Sequence, residues 1–292
     1  MDLSVVVPVY NGENTITGLF QRTRQILEGR FSWEMIFVYD CGRDDSWTII
    51  NNLCNLNSEL VKGFRLDRNY GQHNATLFGI KKASGDFIIT IDEDLQHDPK
   101  FIPDLIGEQR RGDYDVVYGK FIELQHSGIR IWTSELLREI LKIMVPYIYY
   151  DYSSYRLLKR SIAEKITAMN NSYSFIDGYI GSATENISSF PVEHYRRTRG
   201  QSSYYFIKLF KHAMFIILSY SKIKTWLLLA SFFFNLSAVV INLINHEANN
   251  NGINRLISGL FIIGITLLSV GLITELIHYR YLKLNSKISE VK

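Results

Sequence analysis

The sequence predicts an α/β protein, a mainly parallel sheet flanked by helices and followed by a helical membrane anchor. Two observations carry this. Over the first 120 residues, short β-rich runs alternate with stretches at helical spacing, the pattern of parallel strands joined by crossover helices. After residue 200 the composition shifts, and two apolar segments of about 20 residues each match a ~30 Å hydrocarbon core at 1.5 Å rise per residue.

Taken in chain order, the candidate strands are Leu3–Val9, Glu34–Val38, Val61–Leu66, Phe87–Ile91 and Asp115–Tyr118. Helical stretches fall between them at Glu13–Glu28, Asp45–Leu56, Gln72–Lys82 and Lys100–Arg111. Residues 121–200 are less regular, with a helical pattern at Ile131–Ile143 and a further strand at Ile187–Tyr195. Tyr204–Tyr220 mixes Lys208, Lys211 and His212 with Phe and Ile at roughly helical spacing. That segment reads as an amphipathic helix in the membrane interface, or alternatively as a surface helix on the soluble core. The apolar segments are Thr225–Ile244 and Leu256–Ile277. Trp226–Ile241 is apolar around its whole circumference apart from Asn235 and small hydroxyl residues, which argues for a span over a buried soluble hairpin.

The division that follows is a catalytic domain at 1–200, an interfacial helix at 201–222, a first span at 223–244, a loop at 245–255, a second span at 256–278 and a tail at 279–292. Lys222 and Lys224 precede the first span, and Arg280, Lys283 and Lys287 follow the second, whereas the connecting loop carries Glu247 and His246 with Arg255 at its edge. The positive-inside rule then places the domain and both termini in the cytoplasm, with two spans in the cell membrane. Met1 is followed by a run too short and too uncharged at its start for an export signal.

Composition excludes some classes. A formal net charge of +3 is too small for wholesale nucleic-acid binding. Cys41 and Cys54 form neither a C-x-x-C pair nor a zinc spacing, so a reducing compartment suits the chain. No G-x-G occurs anywhere, which removes a dinucleotide-dependent oxidoreductase.

Chemistry concentrates after the fourth strand, in Asp92-Glu93-Asp94. Two carboxylates at i and i+2, at the carboxyl end of a parallel strand, can share magnesium or manganese and leave positions open for phosphate oxygens. Ligands of such sheets bind beyond those strand ends. By itself, an acid-x-acid triplet is also a common solvated turn.

With its flanks the triplet reads Asp92-Glu93-Asp94-Leu95-Gln96-His97-Asp98-Pro99, and upstream stands Arg68-Asn69-Tyr70-Gly71-Gln72-His73-Asn74-Ala75. Together they closely resemble the polyprenyl-phosphate transferases of glycosyltransferase family 2, over nearly the whole chain. The resemblance implies a GT-A-type fold and a nucleotide-sugar donor, with a UDP-sugar favoured over GDP. It also implies a polyprenyl (undecaprenyl) phosphate acceptor, a Mg2+ or Mn2+ ion, and a homo-oligomer. In Val7-Pro8-Val9-Tyr10-Asn11-Gly12-Glu13 it puts Pro8, Tyr10 and Glu13 at the base and ribose, with Asp40, Arg68 and Gln72 also on the nucleotide. Asp92, Asp94 and Gln96 become the metal and diphosphate ligands. Lys120, Arg130, Arg156, Arg196, Arg199 and Ser202 become the acceptor-phosphate contacts, and Asp151 and Asp177 candidate orienting groups.

The chain departs from the family pattern at four places. Tyr39 replaces an acid, Cys41-Gly42 replaces Gly-Ser, Glu93 stands where a small residue is usual, and Ser203 replaces a Lys. Glu93 either alters the metal site or faces away from it, since neighbours on an extended chain point oppositely. Asp44 and Asp45 read more simply as the start of a helix.

The implied reaction is an inverting transfer. A phosphate monoester, with a second pKa of about 6, is already largely dianionic near neutrality, so no dedicated general base is required. Two rivals are weaker. A processive polysaccharide synthase needs a Q-x-x-R-W motif and more spans, and Arg130-Ile131-Trp132 lacks that arrangement. A degenerate nucleotide-sugar-binding scaffold would draw on Tyr39, Glu93 and Ser203.

Overall fold

The structure, a computed structural model, describes residues 1–121, 145, 148, 149, 151–169, 175–193, 223–244, 251–285 and 290–291. The expected elements at Ile131–Ile143 and Tyr204–Tyr220, and the candidate residues Arg130, Arg196, Arg199, Ser202 and Ser203, lie outside these.

Seven strands and six helices, mostly alternating, make up residues 3–192 as described. β1 (Leu3–Val9), α1 (Ile16–Leu27), β2 (Trp33–Tyr39), α2 (Ser46–Leu56), β3 (Val61–Leu66), α3 (Gln72–Lys82) and β4 (Phe87–Thr90) come first. A 3-10 turn at Pro99–Phe101 then leads into α4 (Ile102–Gly112) and β5 (Val116–Phe121). β6 (Arg156–Lys159), α5 (Arg160–Ala168), α6 (Ile176–Ala183) and β7 (Ile187–Val192) complete the domain. The sheet order is β7-β5-β6-β4-β1-β2-β3, with a two-residue strand β8 (Glu290–Val291) on the outer edge of β3. All pairings are parallel except those of β6 with β4 and β5, and of β8 with β3. The expected mainly parallel α/β sheet is therefore present, with β6 as an antiparallel strand inside it.

β1 is fully buried along its length because it lies between layers: Val5, Val7 and Val9 face α1, α2 and α4, and Val6 faces α3. A Val-rich run without polar alternation is what a two-sided central strand requires. Pro8 sits in that strand without losing a ladder bond to β4, since β4 pairs only as far as Val6↔Thr90. α1 turns Ile16, Leu19, Phe20, Thr23 and Leu27 inward at helical spacing. α3 approaches β1 so closely that a Cβ on Gly79 would collide with Val6, so only glycine fits there.

Strand polarity sets where ligands can bind. β1 neighbours β2 on one side and β4 on the other, so the connections diverge at β1 and leave a crevice between the carboxyl ends of β1 and β4. Residues 151–155, which enter antiparallel β6, return to that same end.

Two apolar helices follow, α7 (Ile223–Ile244) and α8 (Asn251–Asn285). They pack through small side chains. Buried Ser231 donates to the Gly264 carbonyl at 2.8 Å, Asn235 lies where a Gly264 Cβ would go, and Gly271 meets Leu228. Trp226, Phe232, Phe233, Ile262, Ile265 and Leu272 remain exposed on the outside. Two spans were expected. Among the described residues one stretch, Leu256–Ile273 with mean hydropathy 2.5, is long and apolar enough to cross a membrane, and Trp226–Asn242 is a shorter apolar stretch.

Candidate active site

The crevice is built from five turns. Three of the four non-glycine residues with positive φ among the described residues stand here, one after each of three strands: Asn11 at 59°, Cys41 at 52° and Leu95 at 61°. L-residues adopt this region at a cost, and such conformations collect where a loop is shaped for a ligand.

The turns after β1 and β2 are zipped together. Gly12 N–H donates to Ser46 Oγ at 2.8 Å, and Arg43 N–H to Asn11 Oδ1 at 2.8 Å. Glu13 N–H donates to Asp44 Oδ2 at 3.0 Å, and Asp45 N–H returns a bond to Glu13 Oε2 at 3.1 Å. Asp44 also accepts the Ser46 N–H, so the acids at the head of α2 serve that helix start. Of the expected nucleotide contacts here, Tyr10 is exposed beside the crevice, Pro8 is buried in β1, and Glu13 is engaged in the zipper.

Asp40 is buried and accepts Tyr70 N–H at 2.7 Å and Gly71 N–H at 2.8 Å. Burial pushes its carboxyl up, against those two bonds. Its side chain shapes the loop between β3 and α3. Tyr39, in place of the usual acid, packs against Trp47 with ring centroids 6.0 Å apart, under Arg65, and donates to the Gly42 carbonyl at 2.7 Å. Arg68 lies over the Tyr70 ring at 4.7 Å.

The acidic loop closes the other side. Asp92 Oδ1 accepts from Gln72 Nε2 at 2.6 Å, and Oδ2 accepts from Ser154 Oγ at 2.6 Å. Asp94 Oδ1 accepts the Gln96 N–H at 3.1 Å, folding the loop back on itself. Glu93 reaches across to the turn after β1: Tyr10 N–H donates to its Oε1 at 3.4 Å, and its Cγ fills the space where a Gly12 Cβ would stand, at 2.8 Å. Burial, reinforced by Asp92 and Asp94, pushes the Glu93 carboxyl up to about 7. His97 is buried, stacks on Phe121 at 5.0 Å and lies 3.8 Å from Asp92 Oδ2.

Lys120 extends from the carboxyl end of β5 and pairs with Asp151 at 2.8 Å, both partly solvent-accessible. Arg156 is elsewhere. It is 3% exposed and bonds Asp177 at 2.7 Å, which Tyr118 also reaches at 2.9 Å. Burial raises the Asp177 carboxyl while the guanidinium opposes it. The structure thus brings Asp92, Asp94, Gln96, Gln72, Tyr10, Lys120 and Asp151 to one rim, and withdraws Arg156 and Asp177 into the core. Ser154 was not legible as a site residue, because nothing local to its sequence marks a bond to a residue 62 positions earlier.

Among the described residues no three His, Cys, Asp or Glu side chains converge as a metal cluster. Two carboxylates with substrate phosphate oxygens are, however, what a magnesium-type ion takes. A diphosphate brought against Asp92 and Asp94 also needs positive charge between, so the donor set fits such an ion.

A doubly wound sheet with an acidic loop facing a shaped turn across its switch point defines a GT-A-like transferase fold. Residues 4–170 match the family model described as Glycosyl transferase family 2, and the chain belongs to that family. It is 32% identical to the undecaprenyl-phosphate 4-deoxy-4-formamido-L-arabinose transferase of Pseudomonas aeruginosa strain PAO1, over 96% of this chain and 86% of that one. The protein of the same name from Shewanella sediminis is 31% identical over 94% and 86%. Among solved structures, glucosyl-3-phosphoglycerate synthase from Mycobacterium tuberculosis, bound to Mn2+, UDP-glucose and phosphoglyceric acid, has a TM-score of 0.53 at 19% identity, covering 74% of this chain and 77% of that one. S. aureus TarS with UDP-GlcNAc has a TM-score of 0.51 at 18% identity, covering 75% and 66%. At those identities the likeness is one of fold.

Proposed function

We propose that this protein transfers a single sugar from a nucleotide-diphosphate sugar, a UDP-sugar, to undecaprenyl phosphate at the cytoplasmic face of the cell membrane. The observation that carries the reading is the meeting of the Asp92-Glu93-Asp94 loop, through Glu93, with the Tyr10–Gly12 turn at the switch point, in a chain that also carries an exposed apolar helix pair. The names of the full-length relatives supply the acceptor class.

In this reading Tyr10 and the β1 turn seat the nucleoside, while Asp92, Asp94 and Gln96 hold a Mg2+ or Mn2+ ion. That ion supplies charge neutralisation to the departing diphosphate. Lys120 holds the lipid phosphate, exchanging its Asp151 partner for the incoming anion, and Asp151 then orients the acceptor. Arg130, Arg196, Arg199 and Ser202 are proposed as further phosphate contacts. Arg156 is assigned to the core instead, since its Asp177 partner already satisfies its charge. The nucleophile is a phosphate oxygen that arrives ionised, so no side chain need remove a proton. α7 and α8 together act as a two-span hairpin that keeps the rim beside an acceptor confined to the bilayer, with both chain ends cytoplasmic.

The test is transfer of radiolabelled sugar from a panel of UDP- and GDP-sugars to undecaprenyl phosphate by the detergent-purified chain, with and without EDTA. EDTA-sensitive formation of a lipid-linked monosaccharide is expected. Nucleotide binding without transfer from any donor would replace this reading with that of a scaffold.

A further inference from the structure

Asp92 is held through both of its carboxylate oxygens. Its two oxygens each accept one short bond, from the Gln72 amide on α3 and from the Ser154 hydroxyl ahead of β6, both at 2.6 Å. Both donors are neutral, and the buried His97 ring stands further off, its Nδ1 3.8 Å from Oδ2 and outside hydrogen-bond distance. A carboxylate oxygen has two lone-pair sites, so each oxygen keeps one for another ligand. Asp151, by contrast, is met by the Lys120 ammonium, which takes up its charge.

Ser154 is itself fixed at several points. Its carbonyl accepts the Thr90 hydroxyl at 2.6 Å, from the last residue of β4. Ser153 Oγ accepts the Tyr155 N–H at 3.0 Å, setting the turn that aims Ser154. The hydroxyl of fully buried Tyr155 donates to the Asp98 carbonyl at 3.1 Å, at the far end of the acidic loop. Residues 153–155 therefore bracket the loop, gripping its first acid and its last turn.

We propose that Ser154, together with Gln72, is the positioning pair for Asp92, locking that carboxylate toward the donor's diphosphate without cancelling its charge. This rests on the functional reading above. A cationic partner would serve orientation equally well but would compete with the ion that a diphosphate requires. Neutral donors orient while leaving the charge in place, the role that outer partners play around metal-ligating carboxylates. Gln72 is thereby assigned to Asp92 rather than to the nucleotide directly.

The experiment uses the full chain in detergent, with Mn2+ as the probe in the presence of UDP. Mn2+ affinity is read by electron paramagnetic resonance, and the melting temperature is recorded alongside. Ser154→Ala is expected to weaken Mn2+ binding by about 10- to 100-fold, the usual effect of removing such a partner, with little change in melting temperature. Ser154→Thr, which keeps the hydroxyl, should restore affinity, and Gln72→Ala should weaken it in the same direction. Unchanged Mn2+ affinity in Ser154→Ala, in a wild-type protein that does bind Mn2+ with UDP, overturns this proposal alone. A lower melting temperature with unaltered affinity of the folded fraction overturns it too, in favour of a structural bond. Failure of the wild type to bind Mn2+ with UDP overturns the metal-dependent reading and this proposal with it.

Discussion

The two ends of the sheet are built on opposite principles. At the amino ends of the strands, charges are tied off. Glu34 Oε1 accepts from Ser4, from the Ser84 hydroxyl and from the Ser84 N–H at 2.6–2.7 Å, and Oε2 meets Lys62 at 2.6 Å. Lys159 bridges Asp113 and Asp115, and Arg160 donates to the Ala83 and Gly85 carbonyls. The 550 Å³ cavity there is lined in part by Asp113, Lys159 and Arg160, charges that already have protein partners. At the carboxyl ends the backbone is strained at Asn11, Cys41 and Leu95, and acids are gathered together. One end is arranged for stability, the other for a ligand. The contrast teaches that a paired charge in this fold must be placed before it is given a role.

That contrast can be broken by substitution. The largest effect is expected at the rim: Asp94→Ala should lower turnover by roughly 1,000-fold, comparable to losing a key electrostatic stabiliser, while the melting temperature barely moves. Steady-state transfer kinetics with a parallel melting curve check it, and near-normal turnover removes Asp94 from the chemistry. Next comes the buried seam. Asp177→Ala leaves Arg156 as an uncompensated buried charge and should destabilise by about 3–5 kcal/mol, read as a large drop in melting temperature. If instead only the apparent KM for the lipid rises, the Arg156 site belongs to the acceptor after all.

The smallest effect is expected at the amino end. Burial pushes the Glu34 carboxyl up, but the bonds from Lys62, Ser4 and Ser84 outweigh it and hold it below the ordinary glutamate range. A folded pKa lowered in this way adds stability above the unfolded value of ~4.3, and that stability is lost as pH falls through the folded value. Glu34→Gln should therefore cost about 1–3 kcal/mol at neutral pH and flatten the acid side of the melting-temperature profile. Its turnover, normalised to folded protein, should match wild type.

Much of the fold is legible because it is local. β1, β3 and α3 have the bounds that their apolar runs and flanking turns announce. β6 was missed because Arg156-Leu157-Leu158-Lys159 is short and charged at both ends, and becomes a strand only by inserting between β4 and β5. The site divides in the same way. The acidic loop follows its strand as expected, but Arg156 looks like a phosphate ligand until Asp177, 21 residues on, is folded against it. Asp40 reads from sequence as a base contact, and its bonds to the Tyr70 and Gly71 amides, 30 and 31 residues away, are not announced by any local pattern. Glu93 is compatible with the site because Gly12 leaves it room, a pairing across 81 residues that no local pattern records.

The central claim is that this rim transfers sugar to a lipid phosphate and needs no protein base to do so. The most direct measurement compares initial rates of sugar transfer to undecaprenyl phosphate and to undecaprenol, using whichever donor the panel selects. Rapid transfer to the phosphate with none to the alcohol is the predicted result. Equal transfer to both would mean that a side chain on the rim removes a proton, and would contradict the account.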